Sequence, residues 1–289
     1  MPSQLNMNKN SIFISISIIL FVTIKIYSQS TKIVSLAPSY TKQIYTLKAD
    51  SNLIAYTKYG QKNHTNSEKT VVGSVVNISV EKIRSLNPDL ILSSTLTRKK
   101  QIRRLKKLGL KVHTFQQPQS FADISDQFLR IAEFVNKSQF AQNYLHKIKN
   151  KINSLERKID TRTKTEKNKK IFFQIGRQPL YAVHPNTYLN EVINLLNGQN
   201  IIQNRSSGIC NRETVISKDP EIIFIALNGK AAELAQQEWN DFGSIAAVKS
   251  HQIYQVAPNL FNSPTPGNFY LALKKATKHI YSLKFNHKN

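Results

Sequence analysis

Six apolar residues, Phe140, Tyr144, Ile148, Ile152, Leu155 and Ile159, recur at steps of four, four, four, three and four. That spacing sets them on one stripe of a single long helix. About twenty residues of helix span roughly 30 Å, the width of a small domain. On both sides of the stripe the pattern is different: short apolar runs alternate with amphipathic segments. Before it, strands are expected at Lys32 to Pro38, Leu53 to Tyr56, Val71 to Val72, Leu90 to Ser93 and Leu110 to Phe115. Helices are expected at Thr41 to Leu47, Ser79 to Leu86, Arg98 to Leu108 and Phe121 to Phe134. After it, strands are expected at Ile171 to Ile175, Ile222 to Ala226 and Ile253 to Val256, with helices at Tyr188 to Leu196 and Phe269 to Leu283. Strand–helix alternation of this kind implies βαβ units and parallel sheets. The expectation is an α/β chain of two Rossmann-like lobes joined by one long backbone helix. The divisions are 1–29 for an export signal, 30–136 for the first lobe, 137–168 for the connector and 169–289 for the second lobe.

An internal echo relates the two lobes. Ser79-Val80-Glu81 precedes Pro88-Asp89-Leu90-Ile91, and Asn211-Arg212-Glu213 precedes Pro220-Glu221-Ile222-Ile223. In both, a helix-capping residue stands two before a Glu, and Pro follows that Glu by seven. The unit reads as capped helix, turn and buried strand. Its recurrence at identical spacing supports two related halves.

The leader and the charge bound the compartment and the partners. Lys9 precedes an apolar run, Ile12 to Ile24, of signal-peptide length, followed by Ser28, Gln29 and Ser30. Export to the periplasm is expected, with cleavage near Ser28 or Gln29 and no lipid-anchor cysteine beside that site. An uncleaved anchor helix is the alternative. The one cysteine, Cys210, forms no intrachain disulfide. Lys and Arg total 41 against 17 acids, a net charge of +24. Such an excess raises nucleic acid or an anionic surface as a partner. The denser runs, Arg98 to Lys111 and Lys147 to Lys170, carry no accompanying nucleic-acid motif and read as solvated faces. No nucleophile elbow, phosphate-binding loop, dinucleotide fingerprint or paired-histidine zinc motif occurs, so an enzyme is disfavoured.

Two lobes joined this way leave a cleft, and ligands of parallel sheets sit beyond the carboxyl ends of the strands. The lining is expected from the loops Ala37 to Tyr40, Thr57 to His64, Gly73 to Asn77 and Ser93 to Arg98. In the second lobe it is expected from Gly176 to Pro185, Leu227 to Lys230 and Ala257 to Thr265. Tyr40, Tyr59, Ser74, Tyr181 and Phe261 fall in these loops and are the ligand-binding candidates. Aromatic faces bury the flat side of a large macrocycle, although tyrosines in loops are common.

The segments KIVSLAPSYT (32–41), VGSVVNISVEKIRSLNPDLIL (72–92), LKKLGLKVHTF (105–115), FFQIGRQPLYAV (172–183) and NRETVISKDPEIIFI (211–225) resemble substrate-binding proteins of ABC importers. The family is the helical-backbone class, which serves cobalamin, haem and iron–siderophore import, and the resemblance runs from about Lys32 to Leu283. It implies a monomeric receptor with no built-in cofactor, which delivers a metal chelate to an ABC importer permease. It also implies that Glu81 and Glu213, one on each lobe, dock onto the permease. From the residues alone, each Glu has an equal reading as a partner of its own helix dipole, worth about 0.3–1 kcal/mol. For the ligand, Tyr59 and Tyr181 match aromatic positions of cobalamin-binding members, while Val75 stands where those members carry Trp. Corrinoid is favoured, with haem or a ferric siderophore as the other candidates. His64 and His184 are candidate haem-iron ligands beside the two tyrosines, and Arg98, Arg177 and Arg205 would meet an anionic siderophore.

Overall fold

The computed structural model describes residues 31–60, 69–163, 168–204 and 207–281. The first lobe runs β1 (Ile33–Ser35), α1 (Pro38–Thr46), β2 (Leu53–Tyr56), β3 (Thr70–Val71), α2 (Val80–Ser85), β4 (Leu90–Ser94), α3 (Lys99–Lys107), β5 (Val112–Phe115) and α4 (Phe121–Phe134). Its sheet has the order β3-β2-β1-β4-β5, and every pairing is parallel. Helix α5 (Ser138–Thr163) follows. Twenty-six residues of helix give a rod of about 39 Å.

The second lobe runs β6 (Lys169–Gly176), β7 (Tyr181–Ala182), α6 (Tyr188–Leu195), β8 (Gly198–Asn200), α7 (Arg212–Lys218), β9 (Ile222–Ile225), α8 (Lys230–Asn240), α9 (Ala246–Lys249), β10 (Ile253–Gln255), α10 (Pro258–Phe261) and α11 (Pro266–Tyr281). Its sheet has the order β10-β9-β6-β7, and β8 pairs in parallel with the start of β6. Among the described strands of this lobe, the β6–β7 pairing is antiparallel and the others are parallel. The chain is thus α/β, with two parallel-sheet lobes on one connecting helix.

Strands covered on both faces need apolar residues at every position rather than alternate ones. Ile33 and Val34 of β1 are both fully buried, as are Phe172 with Phe173 and Ile222 to Ile225. Successive side chains serve different cores. Ile33, Phe173, Ile222 and Phe224 point to a central core shared by both lobes, with α1, α4, α5, α6 and α11 packed into it. Val34 and Ile91 face outward under α2 and α3. Phe172, Ile223 and Ile225 face outward under α7, α8 and α9. The central core is continuous, so the lobes are welded through a helical layer as well as tethered by α5.

The buried stripe of α5 is Ala141, Leu145, Ile148, Ile152, Leu155 and Ile159. This corrects its first turns, which the sequence pattern gave to Phe140 and Tyr144. Those two rings stack on each other at 6.4 Å along the edge of the stripe. Small Ala141 faces inward, where a ring would hold the helix off the core, and Tyr144 instead packs beside Phe128 at 5.5 Å.

The echoed units superimpose in chemistry. Ser79 accepts a hydrogen bond from the Lys82 amide at 3.3 Å, and Asn211 accepts one from the Thr214 amide at 2.9 Å. Asn87 and Asp219, at the same offset, take left-handed φ values of 45° and 47°, a conformation that Asn and Asp tolerate best among side-chain-bearing residues. Pro88 and Pro220 are buried. Asp89 then accepts the amide of Lys32 at 2.7 Å, and Glu221 accepts the amide of Lys170 at 2.8 Å. Each acid therefore latches its strand, β4 or β9, to the entry of β1 or β6.

Candidate functional site

The lobes meet beyond the carboxyl ends of their strands. Lys42 of α1 donates to the Asn268 side chain of α11 at 2.5 Å, and Gln43 donates to the Pro264 carbonyl at 3.2 Å. Helix α1 follows the carboxyl end of β1, and residues 256–265 follow the carboxyl end of β10. The carboxyl edges of the two sheets therefore converge at this contact, which floors the cleft. Nearby, Glu191 of α6 accepts the Phe121 amide at the start of α4 at 2.6 Å. Burial raises the Glu191 carboxyl above its usual range, and the Phe121 hydrogen bond opposes that rise.

Two of the proposed aromatic contacts are core residues. Tyr40 is 2 % exposed, and its ring lies 5.1 Å from Phe115. Burial pushes its phenol upward in pKa. Phe261 is fully buried at 5.4 Å from Phe173, and its carbonyl accepts the Tyr188 hydroxyl. Both belong to the packing beneath the cleft, and neither offers a ring face to a ligand. Their loops enter helices within one turn, and a helix on a parallel sheet turns its large apolar side chains inward.

Tyr59 is the opposite case, 71 % exposed in the short turn Lys58–Gly60 after β2. The turn is held by the Gly60 amide on the Thr57 carbonyl at 2.8 Å and the Lys58 amide on the Gly73 carbonyl at 2.9 Å. A Cβ on Gly60 would stand 3.0 Å from the Thr41 hydroxyl, so the backbone lies against α1 and turns the tyrosine outward. Ser74 closes the next loop. Its hydroxyl accepts the Asn77 amide at 3.1 Å and its own amide donates to the Asn77 carbonyl at 2.8 Å. That role is local turn formation.

In the second lobe, Tyr181 is half-buried on β7. It pairs with Gly176 of β6 on one side and bridges Ile209 on the other. A Cβ at Gly208 would meet the Ala182 carbonyl at 2.0 Å, so only glycine lets this segment close over β7. His184 stands beside Tyr181, ring centroids 6.4 Å apart. Burial lowers its pKa, and its Nδ1 is buried without a hydrogen-bond partner among the described residues. Burial therefore favours its neutral imidazole, the form that ligates metals. His64, Arg205 and the expected leader lie outside the described residues. Sequence reasoning missed the exposed apolar residues Val76 and Ile209 in the same loops. Their signal was present, since each is an apolar residue in a short Gly- and Ser-containing segment.

Glu81 and Glu213 each occupy the first turn of a helix, α2 or α7, and both are exposed. Glu81 pairs with Arg104 of α3 at 2.8 Å. Glu213 edges a surface cavity of about 360 Å³ between Arg177–Leu180 and Cys210–Arg212. Arg212 reaches Glu238 at 2.6 Å, and Arg177 binds the other oxygen of the same carboxylate. Burial alone would raise the Glu238 carboxyl, but hydrogen bonds and charge from the two arginines outweigh it and hold it below the usual range. Arg177 is thereby committed to Glu238, while Arg98 stays exposed at the start of α3. Cys210 is half-buried, and burial raises its thiol. Among the described residues no three His, Cys, Asp or Glu side chains converge on a metal site, and no helix is long and apolar enough to cross a membrane.

Two parallel-sheet lobes on one helical spine, with carboxyl edges converging on a shared floor, define a bilobed solute receptor. A family model described as periplasmic binding protein matches residues 33–260, and the chain belongs to that family. An uncharacterised ABC transporter substrate-binding lipoprotein of Bacillus subtilis (strain 168) is 28 % identical over 251 residues, covering 85 % of this chain and 78 % of the relative. A vitamin B12-binding protein of Vibrio vulnificus (strain YJ016) is 25 % identical over 256 residues, covering 88 % of this chain and 91 % of the relative. Among solved structures, a periplasmic haem-binding protein from Pseudomonas aeruginosa matches with a TM-score of 0.80 at 17 % identity, over 89 % of this chain and 94 % of that one. The periplasmic vitamin B12-binding protein of Vibrio cholerae matches at 0.73 and 22 % identity, over 86 % and 96 %. The chain is thus a periplasmic binding protein whose two lobes share one backbone helix.

Proposed function

We propose that this chain is an exported receptor, not an enzyme, that captures a metal chelate between its lobes and delivers it to an ABC importer permease. It works as a monomer in the periplasm, with lobes at 30–136 and 169–289 and the connector at 137–168. The favoured cargo is a corrinoid; haem and a ferric siderophore are the other chelates the site chemistry suits. The observation that carries this reading is that Tyr59, in the turn after β2, and Tyr181, on β7 beside the carboxyl end of β6, stand on opposite lobes. Two such rings suit the two flat faces of a macrocycle. The named ligands of the relatives, vitamin B12 and haem, support the same class. His184 supplies a neutral imidazole for an axial position should the cargo be haem.

Glu81 and Glu213 are the docking acids. They repeat at one offset in the two lobes, on a chain with only 17 acids, and fix the register of a basic partner. The test is to titrate cobalamin, haemin and a ferric siderophore separately, following intrinsic fluorescence. Cobalamin is expected to saturate at micromolar concentration, and Tyr59→Ala with Tyr181→Ala to weaken it by about tenfold or more. Failure to bind any of the three would remove the ligand class. The double reversal Glu81→Lys, Glu213→Lys is expected to abolish uptake through the permease and to leave ligand affinity intact. Undiminished uptake in that variant would remove the docking assignment.

A further inference from the structure

Between Val80 and Lys111 stand ten Lys or Arg residues and two acids. Only one of the two acids meets the face of α3 that looks away from the sheet, and it neutralises a single cation there. Asp89 turns back onto the Lys32 amide, and Glu81 is taken by Arg104. Helix α3 buries Leu105 against the outer core and leaves Lys99, Lys100, Arg103, Arg104, Lys106 and Lys107 exposed. Arg98 precedes them and Lys111 follows, both exposed. Leu108, at the end of the helix, is 38 % exposed.

We infer that this outer face of α3 binds anionic phospholipid headgroups and holds the receptor at the membrane surface. Three observations point to lipid. The cations form a convex ridge on one helix rather than a groove, which matches a plane of phosphates. The helix has no aromatic residue, so it offers no platform for stacking a nucleobase. An exposed leucine at its end gives the shallow apolar contact typical of interfacial helices. The ridge also joins the docking edge, because Arg104 belongs to the ridge and pairs with Glu81. That the membrane contact lies beside the permease rests on the docking reading above; the lipid contact itself does not.

The test uses the purified chain and sedimentation with phosphatidylcholine vesicles, with and without phosphatidylglycerol. The readout is the ratio of the two partition coefficients. Phosphatidylglycerol is expected to raise partition by about tenfold or more at about 0.1 M salt, with the gain fading as salt approaches about 0.5 M. The variant Lys99→Gln, Lys100→Gln, Arg103→Gln, Lys107→Gln is expected to lose about tenfold or more of that gain. A control removes the same number of cations from the exposed face of α5: Lys147→Gln, Lys149→Gln, Arg157→Gln, Lys158→Gln. It is expected to stay within about twofold of the parent. Equal partition into both vesicles would overturn the proposal, and so would equal losses in the two variants, which would reduce the effect to net charge. A single-stranded oligonucleotide bound more tightly than the vesicles, and lost with the same four α3 residues, would reassign the ridge to nucleic acid. These vesicles carry no permease and no chelate, so failure here is separate from failure of the receptor reading.

Discussion

Helix α2 of the first lobe and α7 of the second are built from the same turn chemistry, yet their surroundings differ. Each has a side-chain cap, a first-turn glutamate, a fully buried apolar residue two positions on (Ile83, Val215), a left-handed Asn or Asp, and an acid latching the next strand. In the first lobe the unit sits on an aliphatic outer core of Val34, Leu36, Ala55 and Leu105. In the second it sits beside Trp239, whose indole donates to Gln174 at 2.7 Å and packs on Phe172. The charges differ as well: Glu81 faces one arginine, whereas Arg212 is drawn into a shared clasp with Arg177 and Glu238. The local unit does the same work in both lobes, fixing β4 to β1 and β9 to β6. The packing behind it and the charges around it follow from each lobe's own helices.

The difference in packing gives the largest expected effect. Trp239→Ala should cost about 3–5 kcal/mol and Leu105→Ala about 2–5 kcal/mol. Urea unfolding of both variants measures this, and a smaller loss at Trp239 than at Leu105 would break the contrast. The shared caps should behave alike. Ser79→Ala and Asn211→Ala are each expected to lose about 0.5–2 kcal/mol, and a tenfold disparity between them would show that the two units are not equivalent.

The left-handed residues separate the lobes more finely. Asn87→Gly should be neutral or stabilising by a few tenths of a kcal/mol, as glycine adopts that conformation freely. Asp219→Gly should instead lose about 0.5–1.5 kcal/mol, because Asp219 also accepts the Ala246 amide of α9 at 2.8 Å. Thermal melts of the pair decide between a shared and a lobe-specific role. The smallest effect is electrostatic. The folded state holds Glu238 below its ordinary carboxylate range, so its contribution is present above the unfolded value and fades as pH falls through the lowered folded one. The stability gap between the parent and Glu238→Gln should be flat near neutrality and close below about pH 4. A gap unchanged by acid would remove the clasp.

Much of the fold was legible in the residues. Strand β2 and helix α4 coincide with their apolar runs, because each is bounded by polar or capping residues such as Ser120. The two echoed units were legible because capping and proline chemistry are local. Less visible were β7, β8 and α8. β7 and β8 are two and three residues long and are defined by pairing with β6 rather than by their own pattern. α8 opens at Gly229 with φ at 48° and buries Ala232 and Ala235 where larger apolar residues would have marked a stripe. At the site, sequence placed Tyr40, Tyr59, Tyr181 and Phe261 in one class, and the structure divides them into two buried and two accessible rings.

Periodicity, capping residues and the repeated glutamates therefore determined the class of this protein: two α/β lobes, one rod and an acidic residue at matched places on each lobe. These are properties of a few consecutive residues, and the energies that select them act within a turn or a strand. Tertiary structure alone decided that Tyr40 and Phe261 are buried while Tyr59 is exposed, that Lys42 and Gln43 of α1 bind Asn268 and Pro264 of the second lobe, and that one core runs through both lobes. The α1 contacts join residues more than two hundred positions apart, and burial is a property of the whole arrangement rather than of any residue in it.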